Sequence, residues 1–250
     1  MTHFGQDLLT SQHWDHKYPD MDVVGALMYL ANCTRPDISF AVNLLARYSH
    51  DPTRRHWIGI KQIFRYLRGT KDMGLFFTNG SMHGQLTGYS DVGFLSDPHV
   101  GRSQTGYVFL VGGTTISWRS TKQTLAATSS NHAEILALHE ASWECLWLQR
   151  LIGHIESSCG FIGPSLPTVI YEDNYACINQ FKKGFIKGDR IKHISPKFFF
   201  TRELNDNYIN IQPITSSKNF ADIFTKSLPA SKQWLNIPSL GLKRLSEPMS

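Results

Sequence analysis

Hydrophobic and polar positions along this chain follow two different patterns. Residues 23–31, 37–48 and 54–68 read as short helices separated by the breakers Arg35-Pro36 and Asp51-Pro52, with a strand over 73–78. A polar, glycine-bearing break follows, Asn79-Gly80-Ser81-Met82-His83-Gly84, and the domain boundary is placed there. Beyond it the pattern turns to strands at 85–90, 106–111 and 114–118, the last two joined by a tight Gly112-Gly113 turn. A long helix is predicted over 130–153, where Ala133, Ala137, Ala141, Cys145, Leu148 and Ile152 form one stripe whose small members allow close packing on a sheet. A buried strand at 168–172, helices at 174–181 and 196–204, a strand at 208–212 and a short helix at 220–226 complete the order, and the Pro-bearing remainder reads as a partly ordered tail. Three strands, a helix, a strand, two helices, a strand and a helix predict a mixed sheet with helices on its faces.

An apolar content of 41%, with 12% aromatic residues, is enough to bury a core and excludes a largely disordered chain. Lysine and arginine outnumber the acids by 25 to 20, which suits a polyanionic partner but is also common among ordinary proteins. Cys33, Cys145, Cys159 and Cys177 have no metal-knuckle spacing and no secretory signal precedes them, so a reducing intracellular compartment is expected, cytoplasm or nucleus undecided. No apolar run approaches the roughly twenty residues that span a bilayer, so no membrane insertion is expected. Trp118, Trp143 and Trp147 are expected in the core.

Four acids stand where strands end and helices begin. Asp91 closes the first predicted strand of the second half, Glu134 lies at the start of the long helix, Asp173 closes the strand at 168–172, and Asp222 opens the last short helix. Element ends are where carboxylates from distant sequence converge without burying an unpaired charge in the sheet. Converging carboxylates repel, and divalent cations remove that cost. Oxygen donors suit magnesium or manganese better than zinc. A lone aspartate at a strand end is more often a turn former, and Asp173-Asn174 and Asp222 can equally cap helices.

The blocks Gly88-Tyr89-Ser90-Asp91, Arg102 to Phe109, Ile116-Ser117-Trp118-Arg119-Ser120, Ala133-Glu134, Glu172-Asp173-Asn174, Lys192-His193-Ile194 and Ala221-Asp222-Ile223-Phe224-Thr225-Lys226 resemble, in order, the signatures of copia-type (Ty/copia) retrotransposon ribonuclease H. Val24 to Leu30, Thr34-Arg35-Pro36-Asp37-Ile38 and Ile63 to Thr70 resemble the end of the reverse transcriptase in the same Pol polyproteins. The resemblance implies an α/β fold, a ribonuclease H-like mixed five-stranded sheet flanked by helices and preceded by a small, mostly helical reverse transcriptase-derived segment. The expected divisions are a loose lead-in over 1–20, the helical remnant over 21–80, the ribonuclease H-like domain over 84–228 and a tail over 229–250.

The activity it implies is hydrolysis of the RNA strand of an RNA–DNA hybrid with two Mg2+ ions, Mn2+ being able to substitute, and no small-molecule cofactor. Asp91 is expected to bridge both ions, Asp222 to complete the ion that activates water, and Glu134 with Asp173 to hold the other, the ions roughly 4 Å apart. Polymerase activity is not expected, since no Tyr-x-Asp-Asp signature is present and few residues precede Val23. Three departures stand against the family pattern: Val92-Gly93-Phe94 after Asp91, where an acid is usual; His132 in place of a helix-capping acid; and Ser195-Pro196 after His193-Ile194. They keep open a catalytically inactive fragment that only binds nucleic acid, or a structural remnant.

Candidate nucleic-acid contacts are Lys182, Lys183, Lys187, Arg190, Lys192 and His193 in a basic, glycine-bearing segment, together with Asn174, a solvated loop being the alternative. Arg54, Arg55, Lys61, Arg65 and Arg68 form a second cationic face.

Overall fold

The computed structural model describes residues 21–77, 85–97, 101–161, 166–184 and 194–246. Helices α1 (Met21–Cys33), α2 (Ser39–Ala46) and α3 (Arg54–Gly69) lead to a short strand, β1 (Met73–Leu75). Then come β2 (Thr87–Asp97), β3 (Arg102–Val111), β4 (Thr114–Lys122), the long helix α4 (Ser130–Ser158), β5 (Thr168–Glu172), α5 (Tyr175–Lys183), α6 (Ser195–Asn207) and β6 (Ile209–Pro213). A 3-10 turn (Phe220–Phe224), helix α7 (Ala230–Asn236) and strand β7 (Leu242–Arg244) follow.

The expected mixed five-stranded sheet is formed, in the order β4-β3-β2-β5-β6. Short connections make β2, β3 and β4 antiparallel, whereas β5 and β6 are parallel to β2 because helices return the chain before each of them. Strand β3 is buried on both faces and alternates between two cores. Tyr107 and Phe109 face Ala133, Ala137, Ala141 and Cys145 of α4, while Val108 and Leu110 face Phe224, Ile237 and Leu240. The predicted α4 stripe is the buried one, its alanines fully covered. The helix runs past the expected end at Gly153, because the residue that adopts the left-handed backbone ending a helix is Gly160 (φ 78°).

Helices α1–α3 close their own apolar cluster of Leu27, Ile38, Val42, Leu45, Ile60 and Ile63. Polar side chains bind them to the sheet: the Trp118 indole N–H donates to Ala31 O (2.7 Å), Gln104 Nε2 donates to Asn43 Oδ1 (3.1 Å), and Arg47 pairs with Asp97 (3.1 Å).

Several expectations need correction. Residues 229–246 form regular elements where a partly ordered tail is expected. Strand β7 pairs antiparallel with β1, the Arg244 guanidinium grips Asp72 at 2.8 and 2.9 Å, and Ile237, Leu240 and Leu242 are buried. The prolines that suggested a tail instead punctuate short elements, Pro229 capping α7 and Pro238 opening a 3-10 turn. This pairing ties the N-terminal and C-terminal segments together across the break proposed at 79–84, which lies outside the described residues, as does the 1–20 lead-in. Trp143 and Trp147 are 54% and 57% exposed, since they sit on the face of α4 opposite its buried stripe, and Trp143 stacks on Phe200 of α6 (4.6 Å between ring centroids). Trp118 is partly buried, as its hydrogen bond requires. Strand β2 also does not stop at 90 but continues to Asp97 along β3.

The 3-10 turn lies on the sheet at two glycines. A Cβ on Gly106 falls 2.5 Å from Thr225 Cγ2 and 2.8 Å from Phe224 Cβ, and one on Gly93 falls 2.5 Å from Thr225 O. The Gly93 departure therefore matches a close backbone approach that leaves no room for a side chain. Gly106→Ala is expected to lift the turn and cost about 1–3 kcal/mol in urea denaturation. A cost below ~0.5 kcal/mol would show that the turn repacks freely.

Candidate active site

Asp91 lies in the interior of β2. Strand β5 pairs with β2 only as far as Tyr89 opposite Tyr171, so beyond that register a gap opens between the two parallel strands. Asp91 borders this gap on one side and Asp173, the residue after β5, on the other. Glu134 enters from α4, one turn from its start, where Ser129 caps the helix by accepting from His132 N (3.2 Å). That cap replaces the acid missing at position 132, and the His132 ring instead hydrogen-bonds Thr128 (2.7 Å). Oxygens of Asp91, Glu134 and Asp173 all lie within 4.8 Å of one another.

The fourth expected acid, Asp222, is not in that group. It sits on the 3-10 turn, capped by Asn219, whose side chain accepts from Ala221 N (3.1 Å) and donates to Ser90 O (2.8 Å), the residue before Asp91. Thr225, at the other end of the turn, donates its hydroxyl to Asp91 Oδ2. Lys226 bridges the two acids, its ammonium 2.6 Å from Asp222 Oδ1 and 3.5 Å from Asp91 Oδ2, while Lys232 of α7 lies 2.5 Å from Asp222 Oδ2. Asp222 is thus joined to Asp91 through an ammonium.

Burial and crowding govern the charges. Removal from water, with Asp222 and Asp173 nearby, pushes the Asp91 carboxyl up to about 7, against the opposing pull of Lys226 and Thr225. Burial, then the neighbouring Glu172, Asp91 and Asp173, holds Glu134 well above the usual carboxylate range. Glu172 is likewise raised by burial. Its Oε1 accepts from Asn174 N (3.1 Å), but its Oε2 and the Oε2 of Glu134 have no hydrogen-bond partner among the described residues. Buried carboxylate oxygens gathered this closely and left unsatisfied suit a hard divalent cation, which replaces both the missing hydrogen bonds and the missing charge.

Glu172, Asn219, Thr225, Lys226 and Lys232 carry no role in the sequence reading. The inward position of Glu172 follows from alternation with the buried Thr168 and Ile170, and Asn219 ahead of Phe-Ala-Asp is an N-cap signal. The two lysines carry no comparable signal. Among the candidate nucleic-acid contacts, Lys182 and Lys183 lie in the last turn of α5, and Asn174 caps that helix by accepting from Cys177 N (3.1 Å). Lys187, Arg190, Lys192 and His193 lie outside the described residues. On α3, Arg54, Lys61, Arg65 and Arg68 are exposed. Among the described residues no helix is long and apolar enough to cross a membrane.

Strand order and register give the mixed five-stranded sheet, flanked by helices, of a ribonuclease H-like fold. The chain is similar over most of its length to retrotransposon Pol polyproteins, whose copia-type members its motifs resemble. It is 35% identical over 217 residues to the retrovirus-related Pol polyprotein from transposon TNT 1-94 of Nicotiana tabacum, and 36% identical over 225 residues to that from transposon RE2 of Arabidopsis thaliana. Each alignment covers 86% of this chain, which spans only 16% and 15% of the two polyproteins. A third relative, secreted RxLR effector protein 161 of Plasmopara viticola, is 43% identical over 130 residues, 52% of this chain and 91% of that one. Among solved structures, LC11 ribonuclease H1 in complex with an RNA/DNA hybrid overlaps 56% of this chain and 94% of its own at 19% identity and a TM-score of 0.41. No protein-family model matches the chain.

Proposed function

We propose that the chain is a retrotransposon-derived ribonuclease H that hydrolyses the RNA strand of RNA–DNA hybrids with two divalent ions. The observation that carries this reading is the convergence of Asp91, Glu134 and Asp173 oxygens within 4.8 Å, with Asp222 held against Asp91 through Lys226. Glu134 and Asp173 would hold one ion, Asp222 the other, and Asp91 both. When bound, the ions supply a water activated at neutral pH and neutralise charge at the leaving oxygen. The protein's own residues supply placement. Asn219 and Thr225 fasten the Asp222 turn to β2, and Ser129 fixes the start of the helix that presents Glu134. No side chain has to act as nucleophile. The exposed cations of α3 and those ending α5 suit the phosphates of a hybrid.

A second reading, a chain that grips nucleic acid without cutting it, is favoured by one observation: both oxygens of Asp222 are taken by lysines. A single assay separates the two. Folded protein incubated with an end-labelled RNA–DNA duplex in Mg2+ is expected to cut the RNA strand and to stop on chelation. Salt-sensitive retention of the duplex with no cut strand in Mg2+ or Mn2+ would establish the second reading.

A further inference from the structure

Asp222 is 1% exposed, yet its charge is matched from outside the acidic group. Lys226 arrives from one turn further along the chain and Lys232 from α7, and each takes one carboxylate oxygen, at 2.6 and 2.5 Å. The two side chains remain 44% and 34% exposed, so both reach the buried acid from solvent. Lys226 also stands 3.5 Å from Asp91 Oδ2, so its ammonium lies between the two acids that the proposed function asks to share an ion. Beside it is a 550 Å³ cavity between α2, α3 and the sheet, lined by Lys226, Tyr48, Gln62, Phe94 and Gln233 among others, which gives a withdrawn ammonium room to go.

Resting on the two-ion reading, we propose that Lys226 and Lys232 are positioning residues forming an internal counter-cation for Asp222, which an incoming divalent ion must displace. The physical reason is direct. Burying a carboxylate without a cationic partner is costly. The ammoniums hold the Asp222 carboxylate and the 3-10 turn in place while no ion is bound, at the cost of competing with the ion. Lys232 extends this control to the C-terminal segment. Helix α7, which carries it, is flanked by Leu228 and Ile237 of the apolar core under β3 and is followed by β7 paired to β1, so the placement of the C-terminal elements sets how firmly Asp222 is gripped.

The two roles of the lysines pull ion affinity in opposite directions, which makes the proposal testable without any cleavage assay. Mn2+ binding to the whole chain is measured by calorimetry for the wild type, Lys226→Met, Lys232→Met, Lys226→Arg and Asp91→Asn, with circular dichroism confirming the fold of each. Both Met variants are expected to bind Mn2+ more tightly, on the order of tenfold each, the size of one lost contact to a charged group. Their melting temperature in chelator is expected to fall. Lys226→Arg, which keeps the charge, is expected to stay near the wild type. Affinity unchanged or weakened in both Met variants, with wild-type binding intact and abolished by Asp91→Asn, would overturn the lysine proposal and leave the two-ion reading standing. Absence of Mn2+ binding from every folded variant, or binding indifferent to Asp91→Asn, would overturn the two-ion reading and this proposal with it.

Discussion

Asp91→Asn is expected to abolish magnesium-dependent cleavage of an RNA–DNA duplex and, in chelator at pH 8, to make the protein more stable than the wild type. The two effects share one cause. Asp91 is the acid proposed to touch both ions, and losing several kcal/mol of charge stabilisation slows the reaction on the order of a thousandfold or more. The same carboxylate is a burden to the fold when no ion balances it. Its folded pKa is raised from an ordinary 3.8 to about 7, chiefly by burial. Between those values the native state holds a proton that the unfolded chain has released, so stability falls as pH rises through this window, and the full cost is present above about pH 7. Asparagine cannot ionise and escapes that cost, which the shift places at a few kcal/mol at most. Thermal melts in chelator at pH 5 and pH 8 are the check: the variant's advantage over the wild type should be small at pH 5 and clearly larger at pH 8. Adding Mn2+ should then raise the wild-type melting temperature more than the variant's. A variant less stable than the wild type at pH 8 in chelator would mean that the pairing with Lys226 outweighs burial and crowding, and the electrostatic account of the site would be wrong.

Arg35→Ala is expected to be the most damaging single change outside the acidic group, at about 3–5 kcal/mol, the cost of stripping the partner from a buried charge. The guanidinium meets Asp37 through two hydrogen bonds, 2.9 and 2.6 Å, and donates to Thr70 O (3.1 Å) and Thr70 Oγ1 (2.8 Å). It lies over the ring of Tyr66 (5.5 Å), whose hydroxyl also donates to Asp37 (2.6 Å) and is held well above its usual pKa by burial and that carboxylate. The Asp37 side chain has no exposed area, so without Arg35 its charge is stranded between α1 and α3. Urea denaturation followed by tryptophan fluorescence reads the loss. Arg35→Met combined with Asp37→Leu should recover most of it, since apolar residues of similar size can replace a buried ion pair. A loss below ~1 kcal/mol for Arg35→Ala would show that α1–α3 hold together by apolar packing alone.

The acids were visible in the sequence because each stands beside a local pattern that has to end somewhere. Asp173 follows an alternating strand, Glu134 opens a helix with an alanine stripe, and Asp222 opens a short helix. The position of Asp91 was legible but its setting was not. β2 runs past it to Asp97, and what leaves Asp91 beyond the paired register is the end of pairing with β5, a strand about eighty residues further along the chain. Periodicity reports which face of an element is apolar but not which neighbour covers it. That is why Trp143 and Trp147, apolar in type, were placed in the core although α4 turns them outward.

The sequence by itself determined the order of elements up to residue 226, the mixed sheet, the buried stripe of α4 and the acids that could meet, since all of these follow from local period, caps and breakers. Only the tertiary structure decided that three of those acids share one space while the fourth is held by two lysines, that Glu172 lies buried beside them, and that the C-terminal segment returns to pair with β1. Those outcomes depend on distances between side chains far apart in the chain, where charge and desolvation act through space and leave no trace in local pattern.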